Sequence, residues 1–277
     1  MIDFDILIPD VREKGETRTR QCQLVMLRML KILDYICEKY QIKYFLIGGS
    51  LLGAIRHQGF IPWDDDLDIG MTRENYEKFL QYGIPDLPID IFFQTPQTDV
   101  HYRACDYVEA RLRDKYSSYD HVGSKNNKWH EGLQVDIFVY DCSFFPHNIF
   151  IITQNFFLKF LNNNQKRAKV LKWISKYSPF HMVYASNYLQ TFGLLKLGAN
   201  YIEKKELSSL IKTKFEDTEV FIPKGWDNCL KRQYGNYMPI PAQERRVSNH
   251  DVLPDPFKPC NHTNILHWKD KKINILH

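Results

Sequence analysis

Residues 60–69 read Phe-Ile-Pro-Trp-Asp-Asp-Asp-Leu-Asp-Ile, so four carboxylates fall within five positions among large apolar side chains. The flanking Ile61, Trp63, Leu67 and Ile69 argue for partial burial, and buried carboxylates are costly unless something pairs them. Leu67 to Met71 has the composition of a β-strand. Side chains at i and i+2 of a strand share a face, which places Asp66 and Asp68 side by side. Two adjacent carboxylates repel unless a cation lies between them, and hard oxygen ligands suit Mg²⁺ or Mn²⁺. A solvated acidic loop is the plainer alternative, which the apolar flanks oppose. A calcium loop is the other: Asp64, Asp66 and Asp68 match the first, third and fifth ligand positions of an EF-hand. However, Ile69 stands where its Gly belongs and Asn75 where its Glu belongs.

A third carboxylate, Asp136, sits between Val135 and Ile137 in another predicted strand, Leu133 to Val139. If the two strands are neighbours, Asp66, Asp68 and Asp136 converge. Three aspartates so placed can hold two metal ions roughly 3.5–4 Å apart and clamp an in-line phosphoryl transfer. Upstream, Lys43 to Ile47 reads as a short strand running into Gly48-Gly49. Leu51 to Arg56 reads as a short helix with Ser50 as its N-cap. Glycines before a helix N-terminus let backbone amides approach phosphate oxygens. The Walker A pattern is excluded, because Ala54-Ile55 follows Gly53 in place of Lys-Ser/Thr, and the dinucleotide-binding Gly-x-Gly-x-x-Gly is absent. Arg111 and Arg113 alternate on one face of a strand spanning Val108 to Leu112 and its end. They and Arg56 read either as phosphate ligands or as solvated surface charges.

The rest of the chain is read more coarsely. Glu16 to Tyr40 repeats Leu24, Leu27, Leu30, Leu33 and Ile36 at helical spacing. Thr72 caps a helix predicted to reach Tyr82, and Trp226 to Tyr234 is a helix closed by Gly235. Helices and strands alternate in the first half and helices dominate the second, with a loose tail from Pro254. An α+β domain with a helical extension is expected. The 277 residues carry a net charge of +4, but Cys142 to Ile202 contains seven Lys and Arg and no Asp or Glu, leaving −3 for the remainder. This basic, aromatic-bearing segment reads either as a membrane-surface helix over 144–177 or as a cap packed on the core. The acidic N-terminus is not expected to be a signal peptide, and no apolar run is long enough to span a bilayer. The six scattered cysteines read as reduced residues of a cytoplasmic protein.

Gly49-Ser50-Leu51-Leu52-Gly53-Ala54-Ile55-Arg56 followed by Phe60 to Asp68 resembles the LicD family, which includes fukutin and fukutin-related protein. Gln134 to Asp141, Ile222 to Trp226 and Tyr234 to Met238 extend the resemblance. It implies a nucleotidyltransferase (polymerase-β-like) mixed-sheet core over residues 1–277, with 142–202 as a basic helical insertion and C-terminal helices. It also implies transfer of phosphocholine, or a related phospho-alcohol such as ribitol phosphate, from a CDP-linked donor to a sugar hydroxyl. The acceptor would be a glycan such as lipopolysaccharide, teichoic acid or capsule, or its lipid-linked precursor, met at the cytoplasmic face of the membrane. No nucleic-acid partner is expected. By the resemblance, Asp66 and Asp68 hold Mg²⁺ and Asp136 completes the site. Gly49 and Ser50 cradle a phosphate, and Arg56, Arg111 and Arg113 neutralise the leaving CMP. Trp63, Asp64, Asp65, Asp141 and Tyr234 support them, and the acceptor proton goes to Asp136 or Asp141. Two alternatives are a true nucleotidyltransferase and a non-catalytic glycan- or nucleotide-binding module.

Overall fold

The computed structural model describes residues 2–102, 108–121, 128–143, 166, 183–186, 201–247 and 252–261. The long amphipathic helix predicted near the N-terminus is α2 (Arg18–Lys39), preceded by the single turn α1 (Phe4–Leu7). Thr17 Oγ1 caps α2 by accepting from the Arg20 amide. The predicted apolar stripe is buried, with Leu30, Leu33 and Ile36 fully shielded in the core. On this helix rests a mixed seven-stranded sheet.

The sheet contains β1 (Phe45–Leu46), β2 (Asp68–Thr72), β3 (Ile91–Gln94), β4 (Ala110–Asp114), β6 (Gln134–Ser143), β7 (Val183–Ser186) and β8 (Tyr201–Glu203). Its main path runs β1-β2-β6-β4-β3. β2 and β6 are parallel, and the other pairings in the sheet are antiparallel. The ten-residue β6 is the axis. Its first half pairs with β4 and its second half with β7, while β2 runs along its other edge. Both faces of β6 are covered, so Val135, Ile137, Phe138 and Val139 are buried, as expected for a central strand.

Between β1 and β2 lies α3 (Gly48–His57). It begins three residues before the predicted start, with Ile47 as its N-cap and no side-chain cap, so Ser50 falls inside the first turn. After β2, α4 (Arg73–Lys78) is shorter than predicted. It passes into a wider turn over Phe79–Gly83 that seats Phe79 in the core.

The second half differs most from expectation. In place of helices it contributes β7, β8, the antiparallel hairpin β9 (Leu210–Phe215) and β10 (Thr218–Pro223), and β11 (Val252–Asp255). Its one long described helix is α5 (Trp226–Tyr234), which Gly235 ends at φ +67° as predicted. The hairpin residues alternate, with Val220, Ile222 and Phe215 turned inward and Lys212, Lys214 and Glu219 outward, a period-two pattern that no helix satisfies. The described residues of 142–202 include two strands, so that segment is not wholly helical. The rest of the helical reading, and the membrane-surface reading of 144–177 apart from exposed Lys166, lie outside the described residues.

The described part of the tail, up to residue 261, is ordered rather than loose, and the remainder of that reading lies outside the described residues. β11 pairs with β5 (Ser118–His121), and Cys260 is buried. Cys22, Cys37 and Cys229 are likewise buried free thiols. No helix among the described residues is long and apolar enough to cross a membrane.

Candidate active site

The acidic string is held in place from below. Gln23 Nε2 on α2 donates to the carbonyls of Ile61 (3.1 Å) and Asp64 (3.0 Å). Arg20 forks onto Glu216 at the tip of the β9–β10 hairpin, and Glu216 Oε1 accepts from the Phe60 amide at 3.0 Å. The hairpin that sequence reading missed therefore braces the approach to the acidic string. Gly53 lets this approach pack on α3, because a Cβ there would lie 2.5 Å from the Gly59 carbonyl oxygen.

Beyond Asp64 the side chains alternate. Asp64, Asp66 and Asp68 line a cavity of about 720 Å³, whereas Asp65 is buried and is not among the lining residues. Opposite them stand the N-terminus of α3 (Gly48, Gly49), Arg56, Trp63, Tyr140, Tyr201, Tyr234 and Tyr237. The strands carrying Asp68 and Asp136 are neighbours, and the two residues are direct register partners. Asp68 lines the cavity and is half-buried; desolvation pushes its carboxyl well above the usual range, and repulsion from Asp66, Asp136 and Asp64 pushes it further. A divalent cation would relieve that repulsion, and the all-oxygen donor set suits Mg²⁺ or Mn²⁺. Among the described residues, however, no three potential ligands are already gathered around one point.

The glycines serve the carboxylates. A Cβ at Gly49 would stand 2.9 Å from Asp64 Oδ2, and one at Gly48, where φ is +56°, 3.4 Å from Asp68 Oδ2. The turn brings the positive end of α3 against the acidic group. Ser50 is 5% exposed and does not face the cavity. Its Oγ accepts from the Asp68 amide at 2.8 Å, pinning β2 to α3, so the phosphate-cradle reading of Ser50 is replaced by a positioning one. Ser50→Ala should orphan that amide and cost about 1–2 kcal/mol, measurable as a lowered denaturation midpoint.

The arginines separate. Arg56 lines the cavity, but its Nη1 donates to the carbonyls of Tyr237 (2.9 Å) and Pro239 (3.4 Å), so it clasps the segment forming the cavity lip. Arg113 lies behind the site, 2% exposed. It donates to Gln94 Oε1 and the Gly132 carbonyl, and burial beside Arg111 lowers its pKa to about 10. It does not reach the cavity and is not carried forward as a phosphate ligand. Arg111 is ion-paired with Asp136 at 2.8 Å. Asp141 lies five positions along β6 from Asp136, hence on the other face, and pairs with Arg73 at 2.6 Å. It is therefore withdrawn as a proton acceptor. Trp63 packs edge-on against His57 and lies under Arg246, whose guanidinium is 5.7 Å from the ring. Tyr234 Oη is 3.9 Å from where a Gly48 Cβ would be, which places it at the mouth of the acidic group.

An acidic cavity beside a helix N-terminus, with Asp136 on the next strand as the register partner of Asp68, has the make-up of an enzyme site. The chain belongs to the LicD family: the model described as LicD/FKTN/FKRP, nucleotidyltransferase domain, matches residues 41–225. It is a transferase of that family. It is 28% identical over 267 residues to the lipopolysaccharide cholinephosphotransferase LicD of Haemophilus influenzae, covering 83% of this chain and 95% of that one. Over 40 residues it is 50% identical to the human ribitol 5-phosphate transferase FKRP, 14% of this chain and 8% of that one. An uncharacterized Rickettsia prowazekii protein, RP689, is 34% identical over 120 residues, 35% and 43% of the two chains.

Proposed function

We propose that the chain transfers a phospho-alcohol group, phosphocholine or a close relative, from a CDP-linked donor to a hydroxyl of a cell-surface glycan or its lipid-linked precursor. The observation that carries this reading is that Asp68, which lines the cavity with Asp64 and Asp66 beside the N-terminus of α3, is the register partner of Asp136 on the neighbouring strand. Two relatives, a lipopolysaccharide cholinephosphotransferase and a ribitol 5-phosphate transferase, support the phospho-alcohol class. The core reads as polymerase-β-like, with the helix-bearing glycine turn leading through the acidic string into the strand that opens with Asp68.

Asp66 and Asp68, with Asp136, are the residues that would hold Mg²⁺ or Mn²⁺; the ion, when bound, neutralises the donor pyrophosphate. The acceptor hydroxyl oxygen forms a bond to the phosphorus distal to the nucleoside, and the bond from that phosphorus to the bridging oxygen breaks. CMP leaves with the electron pair, and the acceptor proton passes to Asp136. The N-terminus of α3 lends its field to the anionic group, and catalysis rests on positioning and preorganised charge. The basic segment would serve a lipid-linked acceptor at the inner face of the membrane.

Incubation with CDP-choline and Mg²⁺ plus a glycan acceptor should release CMP, whereas incubation with CTP should release no pyrophosphate. Pyrophosphate from CTP without CMP from any CDP-alcohol would establish nucleotidyl transfer instead. A screen of CDP-alcohols by CMP release then identifies the head group.

A further inference from the structure

Arg111, Asp136 and Asp68 stand at one level on three adjacent strands. Arg111 is the register partner of Asp136 across β4 and β6, and Asp136 that of Asp68 across β6 and β2. Both oxygens of Asp136 are engaged. Arg111 Nε donates to Oδ1 at 2.8 Å, and Arg111 Nη2 and Gln134 Nε2 donate to Oδ2 at 3.4 Å each. The side chains of the pair are 11% and 10% exposed. The Tyr102 ring lies 5.5 Å from the guanidinium. The Asp136 carboxylate is therefore turned toward a cation that the chain itself supplies. Asp136 stands beside Asp68, and a second buried carboxylate at this level would be costly without a positive charge. The level needs one cation, and a guanidinium and a divalent ion would compete for the same two oxygens.

Resting on the reading of Asp66, Asp68 and Asp136 as metal ligands, we propose that Arg111 is a resident counter-ion. It keeps the third ligand engaged until a nucleoside diphosphate draws the guanidinium away, so that metal and donor bind cooperatively. A diphosphate can draw it because phosphate oxygens accept the same forked pair of hydrogen bonds that a carboxylate does. Each ligand then tightens the other by the same factor, as linkage requires. The order of events guards the site: the full metal shell assembles only when the group to be transferred is present.

The test is Mn²⁺ titration of the full chain by electron paramagnetic resonance, with and without CDP, correcting for Mn²⁺ held by free CDP. The variants are Arg111→Gln, Arg111→Lys and Asp68→Asn, with folding checked by circular dichroism. Wild type should bind Mn²⁺ roughly tenfold tighter with CDP than without, in the range usual for coupled sites. Arg111→Gln should bind Mn²⁺ about tenfold tighter than wild type in the absence of CDP and lose most of the CDP dependence, with Arg111→Lys between them. Asp68→Asn should weaken binding in every condition. Equal Mn²⁺ affinity in wild type and Arg111→Gln overturns the counter-ion proposal and leaves the metal assignment standing. Unchanged affinity in Asp68→Asn overturns both. Should Arg111→Gln fail to fold, wild type decides, because Mn²⁺ affinity indifferent to CDP overturns the proposal.

Discussion

Replacing Asp68 with Asn is expected to abolish turnover and, in metal-free protein, to raise the melting temperature. On the proposed reading catalysis loses a metal ligand, and CMP release should fall by at least on the order of 10²–10³. Stability moves the other way, because the native carboxylate is desolvated and repelled by Asp66, Asp136 and Asp64. An uncharged isostere removes that repulsion while leaving the Asp68 amide on Ser50. The gain should be about 1–2 kcal/mol, and each kcal/mol is worth about 2–4 °C in a chain of this size. The sign with pH follows. A carboxyl whose folded pKa is raised contributes most below its unfolded value, and stability is lost as pH rises through the folded value. Metal-free wild type should therefore lose stability from the ordinary carboxylate range upward, and Asp68→Asn should lack that loss. Scanning calorimetry in EDTA across pH reads both effects. Undiminished CMP release from Asp68→Asn would sink the metal assignment, and a lower melting temperature would sink the account of repulsion.

The second large effect lies far from the cavity. Arg12 is fully buried, and its guanidinium spans Asp10 (2.7 Å) and Asp114 (2.8 Å), whose side chains are each 2% exposed. It also donates to the Pro256 carbonyl, and its guanidinium lies 5.5 Å from the Tyr116 ring. One side chain thus ties the start of the chain, the end of β4 and the segment after β11. Arg12→Met keeps the bulk but leaves two buried carboxylates without their cation, which typically costs about 3–5 kcal/mol. Urea denaturation should show that loss. A shift under about 1 kcal/mol would mean that the two aspartates find other partners.

How much of this could be read beforehand differs by level. The periodicity of α2 and the apolar run around Asp136 are local patterns, and each produced the element it suggested, whereas the strand read through Asp66 and Asp68 begins only at Asp68 and leaves Asp66 in the irregular segment before it. The meeting of Asp68 and Asp136 was posed as a condition, and the parallel pairing of β2 with β6 meets it. The β9–β10 hairpin carried an alternation signal, but its turn is Glu216-Asp217, without the glycine or asparagine that announces a tight turn, and Glu216 takes φ +57° unaided. The destinations of Ser50, Arg56 and Arg113 were not legible. Each bonds to a backbone group or amide brought from distant sequence, Asp68, Tyr237 and Gln94 among them. Spacing tells which face a side chain leaves from; the partner it meets is decided by tertiary packing.

The alignment of Arg111, Asp136 and Asp68 across β4, β6 and β2 also bears on which changes in length the gene can tolerate. Strand side chains alternate, so one codon inserted into or deleted from β6 before Asp136 would turn its carboxylate to the opposite face and set Val135 or Ile137 between Asp68 and Arg111. Substitutions at the apolar positions of these strands degrade the site by degrees, whereas a single-residue insertion or deletion inverts it. Lineages descending from this chain should therefore vary in length at the connections between strands and keep a fixed residue count through β2 and the first half of β6.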